Sequence, residues 1–301
     1  MAFEPARTAF MGLGRWANVL ADAALRGGKI RLVSCFSRTP EKRKKFMARF
    51  DTKEARTFED LLRDEEVEAA AAHGIRLAVG HSARRLTVSR KLKALIEGGD
   101  LGEVSINESN FYTERGLELT PEKWRSDPRL NPTGVAIQLS IHHIDTFRYL
   151  RGPMKRVTAV LRHIHATAEV EDAAMIILEH ENGVLSYVGG GWSCPWAFHM
   201  NVHGTKGVAN FRITGQQWRD PSKAPEPIRL RIDREPLEED KVLDMPEGDM
   251  FKDALEDFAD CIREGRPPEV DGQAAFEDLA VVFAAAESSR LGKTVELKDF
   301  F

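Results

Sequence analysis

Thr8-Ala9-Phe10-Met11-Gly12-Leu13-Gly14-Arg15-Trp16-Ala17 reads as an apolar strand that breaks at two glycines into a helix. Glycines serve where a backbone turns tightly and approaches a pyrophosphate, whose charge then rests on the helix N-terminus. Ala17 fills the third small position of that fingerprint. The pattern predicts that Gly12, Gly14, Arg15, Trp16 and Ala17 surround the phosphates of a dinucleotide. A bare Gly-x-Gly also occurs in ordinary strand-to-helix loops, so its surroundings decide. Here a helix over 19–25 stops at Gly27-Gly28 and a second apolar strand follows over 30–36, closing a β-α-β unit of roughly 30 residues.

The residues after that strand choose the nucleotide. An acidic side chain there would bond the ribose hydroxyls of NAD, but the chain has Ser37-Arg38-Thr39-Pro40-Glu41-Lys42. A hydroxyl and two cations suit a 2′-phosphate. Ser37, Arg38 and Lys42 therefore predict NADP, with NAD as the alternative. Lys44 and Lys45 read as the solvated face of the helix after Pro40.

With 301 residues, 42% hydrophobic and 30% charged, the chain is long enough for two folded domains. A net charge of −4 and a pI near 6.2 give no general attraction for nucleic acid or anionic lipid, so the expected partner is a small molecule. Cys35, Cys194 and Cys261 are widely spaced and form neither a disulfide framework nor a zinc pattern. No apolar run approaches membrane-spanning length, and Met1-Ala2-Phe3-Glu4-Pro5 lacks the basic start and apolar core of a signal peptide. The expected compartment is the cytoplasm.

Beyond the first unit the pattern predicts a helix over 41–50, a short strand over 55–57, a helix over 58–73 ended by Gly74, and a strand over 75–80. A basic helix over 87–97 ends at Gly98-Gly99. Alternating strands follow over 104–112, 157–163 and 173–187, the last folding as a hairpin at Asn182-Gly183. Helices over 250–264 and 276–290 close the chain, with Phe258, Ile262, Leu279, Val282 and Phe283 as expected core. The plan is α/β: a Rossmann-like parallel sheet over 1–99, then an α+β domain over 100–301 with a mainly antiparallel sheet, its last helices able to pack back on the first domain.

The second informative stretch is Gly134-Val135-Ala136-Ile137-Gln138-Leu139-Ser140-Ile141-His142-His143-Ile144-Asp145-Thr146-Phe147-Arg148-Tyr149-Leu150. As a helix it is apolar around most of its circumference, so its polar groups need partners. Gln138, His142 and Asp145, at i, i+4 and i+7, would share one face. An imidazole there can exchange a proton with a substrate hydroxyl while hydride moves to a nicotinamide. His143 reads as a packing residue. His163 and His165 alternate as on a strand, but no third ligand is suitably spaced, so no metal is expected. Trp124, Arg125, Tyr112, Trp192 and His199 are candidates to line a sugar pocket, with ordinary packing the competing reading for each.

These residues together resemble the glucose–fructose oxidoreductase / inositol dehydrogenase / rhizopine catabolism (Gfo/Idh/MocA) family. The resemblance runs nearly end to end, through Gly12-x-Gly14, Gly80-His81, Leu101-Gly102-Glu103-Val104, Trp124-Arg125, Ile141-His142-His143-Ile144-Asp145 and His203-Gly204-Thr205-Lys206-Gly207. It implies an NAD(P)-dependent oxidoreductase acting on sugars, polyols or cyclic alcohols, with a second domain whose large open sheet often mediates homo-oligomerisation. By position it places the catalytic histidine on His142, a cofactor contact on His81 and substrate contacts on Trp124 and Arg125. It puts Gln138 where an acidic residue is usual; Gln138 cannot act as a base but can hold a substrate hydroxyl or orient His142.

One departure is larger. The family carries a Glu-Lys-Pro whose lysine assists proton transfer, and no Glu-Lys-Pro occurs in this sequence. Between Glu65 and His81 roughly 40 residues are absent by that comparison, about a βαβ crossover with its strands. A shortened chain, a non-catalytic relative that binds a nucleotide or a partner, and a sequence from which a stretch is missing all fit. In a shortened chain, the 75–80 strand would shift toward the first strand or the exposed edge would need cover.

Overall fold

The computed structural model describes residues 4–62, 77–219, 224–234, 236 and 238–300. The chain divides into two compact units, Met1–Gly80 with Asp249–Gly272, and His81–Gly248 with Gln273–Phe301.

The first unit opens with β1 (Ala6–Met11), α1 (Arg15–Arg26), β2 (Ile30–Phe36), α2 (Pro40–Phe50), β3 (Lys53–Glu54) and α3 (Phe58–Leu62). β1, β2 and β3 form a parallel sheet in that order. Alternate apolar residues of the strands meet the Ala-rich stripe of α1 and the two phenylalanines of α2, so Phe10, Leu32, Ala17, Ala21, Phe46 and Phe50 make one core. The short strand expected over 55–57 lies two residues earlier, where Lys53 and Glu54 pair with Ser34 and Cys35.

The strand expected over 75–80 is not part of this sheet among the described residues. There Ala78 makes one antiparallel bridge with Asp271, and the Val79 N–H donates to Val270 O at 3.0 Å. The remainder of the 58–73 helix, Gly74 and the shortened stretch Glu65 to Gly74 lie outside the described residues.

The second unit contains α4 (Thr87–Glu97), β4 (Val104–Tyr112), α5 (Ile141–Arg151), β5 (Met154–Arg162), β6 (Ala173–His180), β7 (Leu185–Gly191), β8 (Ala197–Gly204), β9 (Gly207–Ile213), α6 (Gly215–Arg219), β10 (Arg229–Asp233) and β11 (Lys241–Asp244). The chain then returns to the first unit as α7 (Met250–Glu264). It ends in the second with α8 (Gly272–Leu291) and β12 (Val295–Glu296). The division at Gly80 replaces the boundary expected near Gly99. The reason is that α4 packs with α5, where Arg90 donates to the Tyr149 hydroxyl at 2.9 Å.

α7 belongs to the first unit through charge as well as packing. Asp249 caps it by accepting from the Phe251 and Lys252 amides and takes an ion pair from Arg26 at 2.6 Å. Glu256 accepts from the Gly28 amide at 2.9 Å, and Asp260 pairs with Lys29 at 2.5 Å. α7 buries Ala259 and Cys261, leaving the expected core residue Ile262 exposed. α8 is apolar on nearly every side, so periodicity could not choose its buried face; Val282 is inside and Phe283 is not.

The second unit is built on nine strands in the order β11-β10-β9-β8-β4-β7-β6-β5-β12, antiparallel throughout except for β4 with β7. One face carries α5 and α8, where Ser288 of α8 accepts from the Ala159 amide at 2.9 Å. Three glycines end β7, and a Cβ on Gly190 would collide with Ser140 Oγ, so glycine there lets the segment before α5 lie close on the sheet. The other face exposes Val160, Met175 and Ile177. No helix among the described residues is long and apolar enough to cross a membrane.

Candidate functional site

The glycine turn of the first unit leaves the start of α1 without a side-chain cap. Gly12 has φ +79°, which an L side chain adopts only with strain, and its amide donates to Phe36 O at 2.9 Å, tying the turn to β2. Gly14 occupies the N-cap of α1 without a side chain to cap it. The first amides of that helix, at Arg15, Trp16 and Ala17, therefore have no side-chain acceptor, and no acidic residue stands in the first turn. The Trp16 ring rests on Phe251 of α7, and Ala17 is buried.

After β2, Arg38 and Lys42 are exposed, as a pair of phosphate contacts would be. Arg43 ties the region together: its guanidinium donates to Ser37 O and pairs with Glu54 of β3 at 2.7 Å. That ion pair holds the Glu54 carboxyl below its usual range. The signal was present in sequence only as one more cation of a basic helix.

In the second unit, the helix expected over 134–150 is not uniform. Ala136–Ser140 forms a π-helical turn and α5 starts after it. The wider turn carries Gln138 ahead of α5. Gln138 Oε1 accepts from Arg125 Nε at 3.2 Å, and the Arg125 guanidinium lies 4.4 Å over the half-exposed Trp124 ring. Trp124, Arg125 and Gln138 thus form one group.

His142 stands one turn further along, walled by aromatic rings. Ring centroids lie 5.6 Å from Trp218, 6.3 Å from Phe111 and 6.1 Å from His81. Its Nδ1 is buried without a hydrogen-bond partner. Burial, aided by His81, pulls its pKa down to about 3, so the imidazole is neutral near pH 7. His143 points into the core against Phe198, 4.4 Å between centroids, with both ring nitrogens unpartnered and its pKa likewise pulled down by burial to about 3. Its packing role is as expected from its sequence.

Behind His142 lies a charge cluster whose pairing the sequence did not disclose. Arg84 grips Asp145 through two hydrogen bonds, one of them 3.0 Å, and Arg148 grips Asp278 of α8 at 2.8 and 2.9 Å. His81 places Nε2 3.7 Å from Asp278 Oδ2, so the residue expected at the cofactor faces this carboxylate. Burial raises the Asp145 carboxyl to about 7 although Arg84 opposes it. His81, Asp145 and Asp278 come within 4.8 Å of one another, a metal-like grouping, but each carboxylate already holds a guanidinium. One sequence signal existed: Asp278 is an acid inside an apolar helix.

Strand alternation separates other candidates from His142. Phe111 touches His142, so Tyr112, the next residue, points to the opposite face, where His199 pairs with Asn110 at 2.7 Å. Trp192 is core. His163 and His165 lie beyond the end of β5, not on it; His163 bonds Ala166 O at 2.8 Å and the His165 amide donates to Asp172.

Comparison with known proteins places this arrangement in context. The family described as "Oxidoreductase family, C-terminal alpha/beta domain" of the Gfo/Idh/MocA group matches residues 93–297. A D-apiose dehydrogenase of Paraburkholderia graminis is 28% identical over 56% of this chain and 46% of its own length. A D-xylose 1-dehydrogenase [NADP(+)] of Haloarcula marismortui is 25% identical over 77% of this chain and 63% of its own. The chain thus matches less than two thirds of either curated relative. A crystal structure from Desulfitobacterium hafniense, provisionally assigned as an NADPH-dependent oxidoreductase, is 32% identical with a TM-score of 0.94, covering 99% of this chain and 100% of that one.

Proposed function

This chain belongs to the Gfo/Idh/MocA oxidoreductase family, and from that premise we propose that it transfers hydride between NADP and a secondary alcohol or ketone of a sugar-like substrate. The observation that carries the reading is His142: a neutral imidazole in an aromatic wall, one nitrogen buried and unpartnered, on the same segment as Gln138, whose Oε1 accepts from Arg125 beside Trp124. Nicotinamide would supply hydride chemistry; His142 would take or return the hydroxyl proton. Gln138 and Arg125 would hold sugar hydroxyls, with Trp124 offering a ring face.

Several features support a nucleotide at the other unit. Gly12 and the uncapped start of α1 would take the pyrophosphate, and the exposed Arg38 and Lys42 with Ser37 favour NADP over NAD. The curated relative with NADP in its name agrees with that choice. The exposed apolar residues Val160, Met175 and Ile177 support a second copy covering the open sheet face.

The test is turnover with NADP+ and NAD+ against a panel of aldoses and polyols that includes D-xylose and D-apiose. His142→Asn is expected to lower kcat about 10²–10⁴-fold while NADP binding survives. Loss of the Glu-Lys-Pro lysine favours one rival, a non-catalytic relative that binds a nucleotide or a partner. Cofactor binding with no turnover on any member of the panel would establish that rival instead.

A further inference from the structure

Apart from apolar rings, His142 has one titratable neighbour in ring contact among the described residues, His81, which meets it edge-on. A base so enclosed has a difficulty that geometry can resolve. A proton received by His142 makes an imidazolium walled by Phe111 and Trp218, which burial disfavours. For His81 the Asp278 carboxylate works against burial. Beyond His81 stand two carboxylates close enough to compete for protons, each fixed by its own arginine so that neither can swing away. Burial pushes the Asp145 carboxyl upward while Arg84 opposes it.

We infer that His81, backed by Asp278 and Asp145, relays the proton of His142 into this buried carboxylate pair. The inference rests on the dehydrogenase reading proposed above. In alcohol oxidation the substrate C–H bond breaks, its electron pair leaving with hydride for the oxidised nicotinamide, and the C–O bond becomes a carbonyl. The hydroxyl proton goes to one ring nitrogen of His142. His142 releases the proton on its other nitrogen toward His81, and His81 passes one from Nε2 to a carboxylate oxygen. The alcohol is oxidised, the nicotinamide reduced, and the proton ends on the acid pair; ketone reduction reverses each transfer. Both transfers require closure: His142 and His81 meet edge-on with ring centroids 6.1 Å apart and the buried His142 Nδ1 unpartnered, and His81 Nε2 stands 3.7 Å from Asp278.

The charges facing His81 come from every element around it: Asp278 on α8, Arg148 and His142 on α5, and Arg84 on its own turn. They set the sign of a direct test. Histidine ring resonances of the cofactor-free chain are followed from about pH 9 to about pH 5, assigned by through-space contacts of His142 with Trp218 and by His81→Gln. His81 is expected to take its proton before His142 as the pH falls. Asp278→Asn is expected to move the His81 midpoint downward, because it removes the carboxylate that favours the imidazolium and leaves Arg148 less compensated.

His142 titrating first, or a His81 midpoint indifferent to Asp278→Asn, overturns the relay. The order of titration is read on the unmodified chain, so that arm does not depend on the variant folding. With NADP+ and an aldose that the panel shows to turn over, His81→Gln is expected to lower kcat about tenfold with KM changed less than about twofold, and to shift the pH profile of kcat. Unchanged kcat and pH profile in that variant also overturn it. A chain that turns over nothing sinks the dehydrogenase reading alone, since the titration order still judges the coupling.

Discussion

The Gly12–Ala17 turn and the Gln138–Asp145 segment carry their instructions at opposite ranges. The turn is local: a positive φ, an uncapped helix start and an amide tied to the next strand all lie within about one β-α-β unit. The histidine segment is not. Asp145 meets Arg84 across 61 residues, and Arg148 meets Asp278 across 130. A site made by a backbone turn is therefore set by the glycines themselves, whereas one made by buried charges depends on partners that only folding delivers.

That contrast can be broken most sharply at Arg84. Arg84→Ala leaves the buried Asp145 without its guanidinium and is expected to cost about 3–5 kcal/mol in denaturant unfolding. A loss within about 0.5 kcal/mol would mean that the cluster is not what fixes α5.

Acid should act on the same segment. The folded-state pKa of His143 is depressed from its ordinary value to about 3, so the unfolded chain binds a proton that the native chain refuses. The stability associated with neutral His143 is complete above about pH 6.5 and is lost as the pH falls from there toward 3. The loss at pH 5 is about 2 kcal/mol. Melting temperatures measured from pH 7 to pH 5 should fall, and His143→Leu should make that fall shallower; an identical slope would show that His143 does not carry it.

The local site predicts smaller effects that read out in binding. Arg38→Ala should reduce the preference for NADP over NAD about tenfold, as expected for one charge-assisted contact, in paired titrations of both cofactors. An unaltered ratio would return Arg38 to the solvated face of its helix. Gly12→Ala meets no atom within 4 Å but is strained at its φ, so it should cost about 1–2 kcal/mol in stability and weaken NADP. Unchanged binding in that variant would separate the turn from the phosphate.

The sequence made the first unit's pattern legible because β1, α1 and β2 announce themselves by apolar runs and glycine stops a few residues apart. The helices at 87–97 and 250–264 and the strand at 104–112 emerged at the expected bounds for the same reason. Near the site, the burial of the histidine segment was legible because the segment is too apolar to be surface, whereas the Arg125 partner of Gln138 was not. Helical spacing assumes 3.6 residues per turn, so it anticipates neither the π-helical turn at Ala136–Ser140 nor the hydrogen bond that Gln138 accepts there from Arg125. Tyr112 and His199 illustrate a simpler limit. Their chemistry is visible in sequence, but the face they occupy depends on which side of β4 and β8 the helices cover.

By itself, then, the sequence determined a glycine turn between strand and helix, a cationic stretch after β2 and a histidine on a buried helix, because periodicity, turn propensity and charge act between near neighbours. Only the tertiary structure decided that α4 joins the second unit, that Gln138 answers to Arg125, and that His142 stands against His81 with Asp145 and Asp278 behind it. Those choices follow from desolvation. A charge taken out of water must find its partner, and the partner is whichever side chain the packed fold brings within reach.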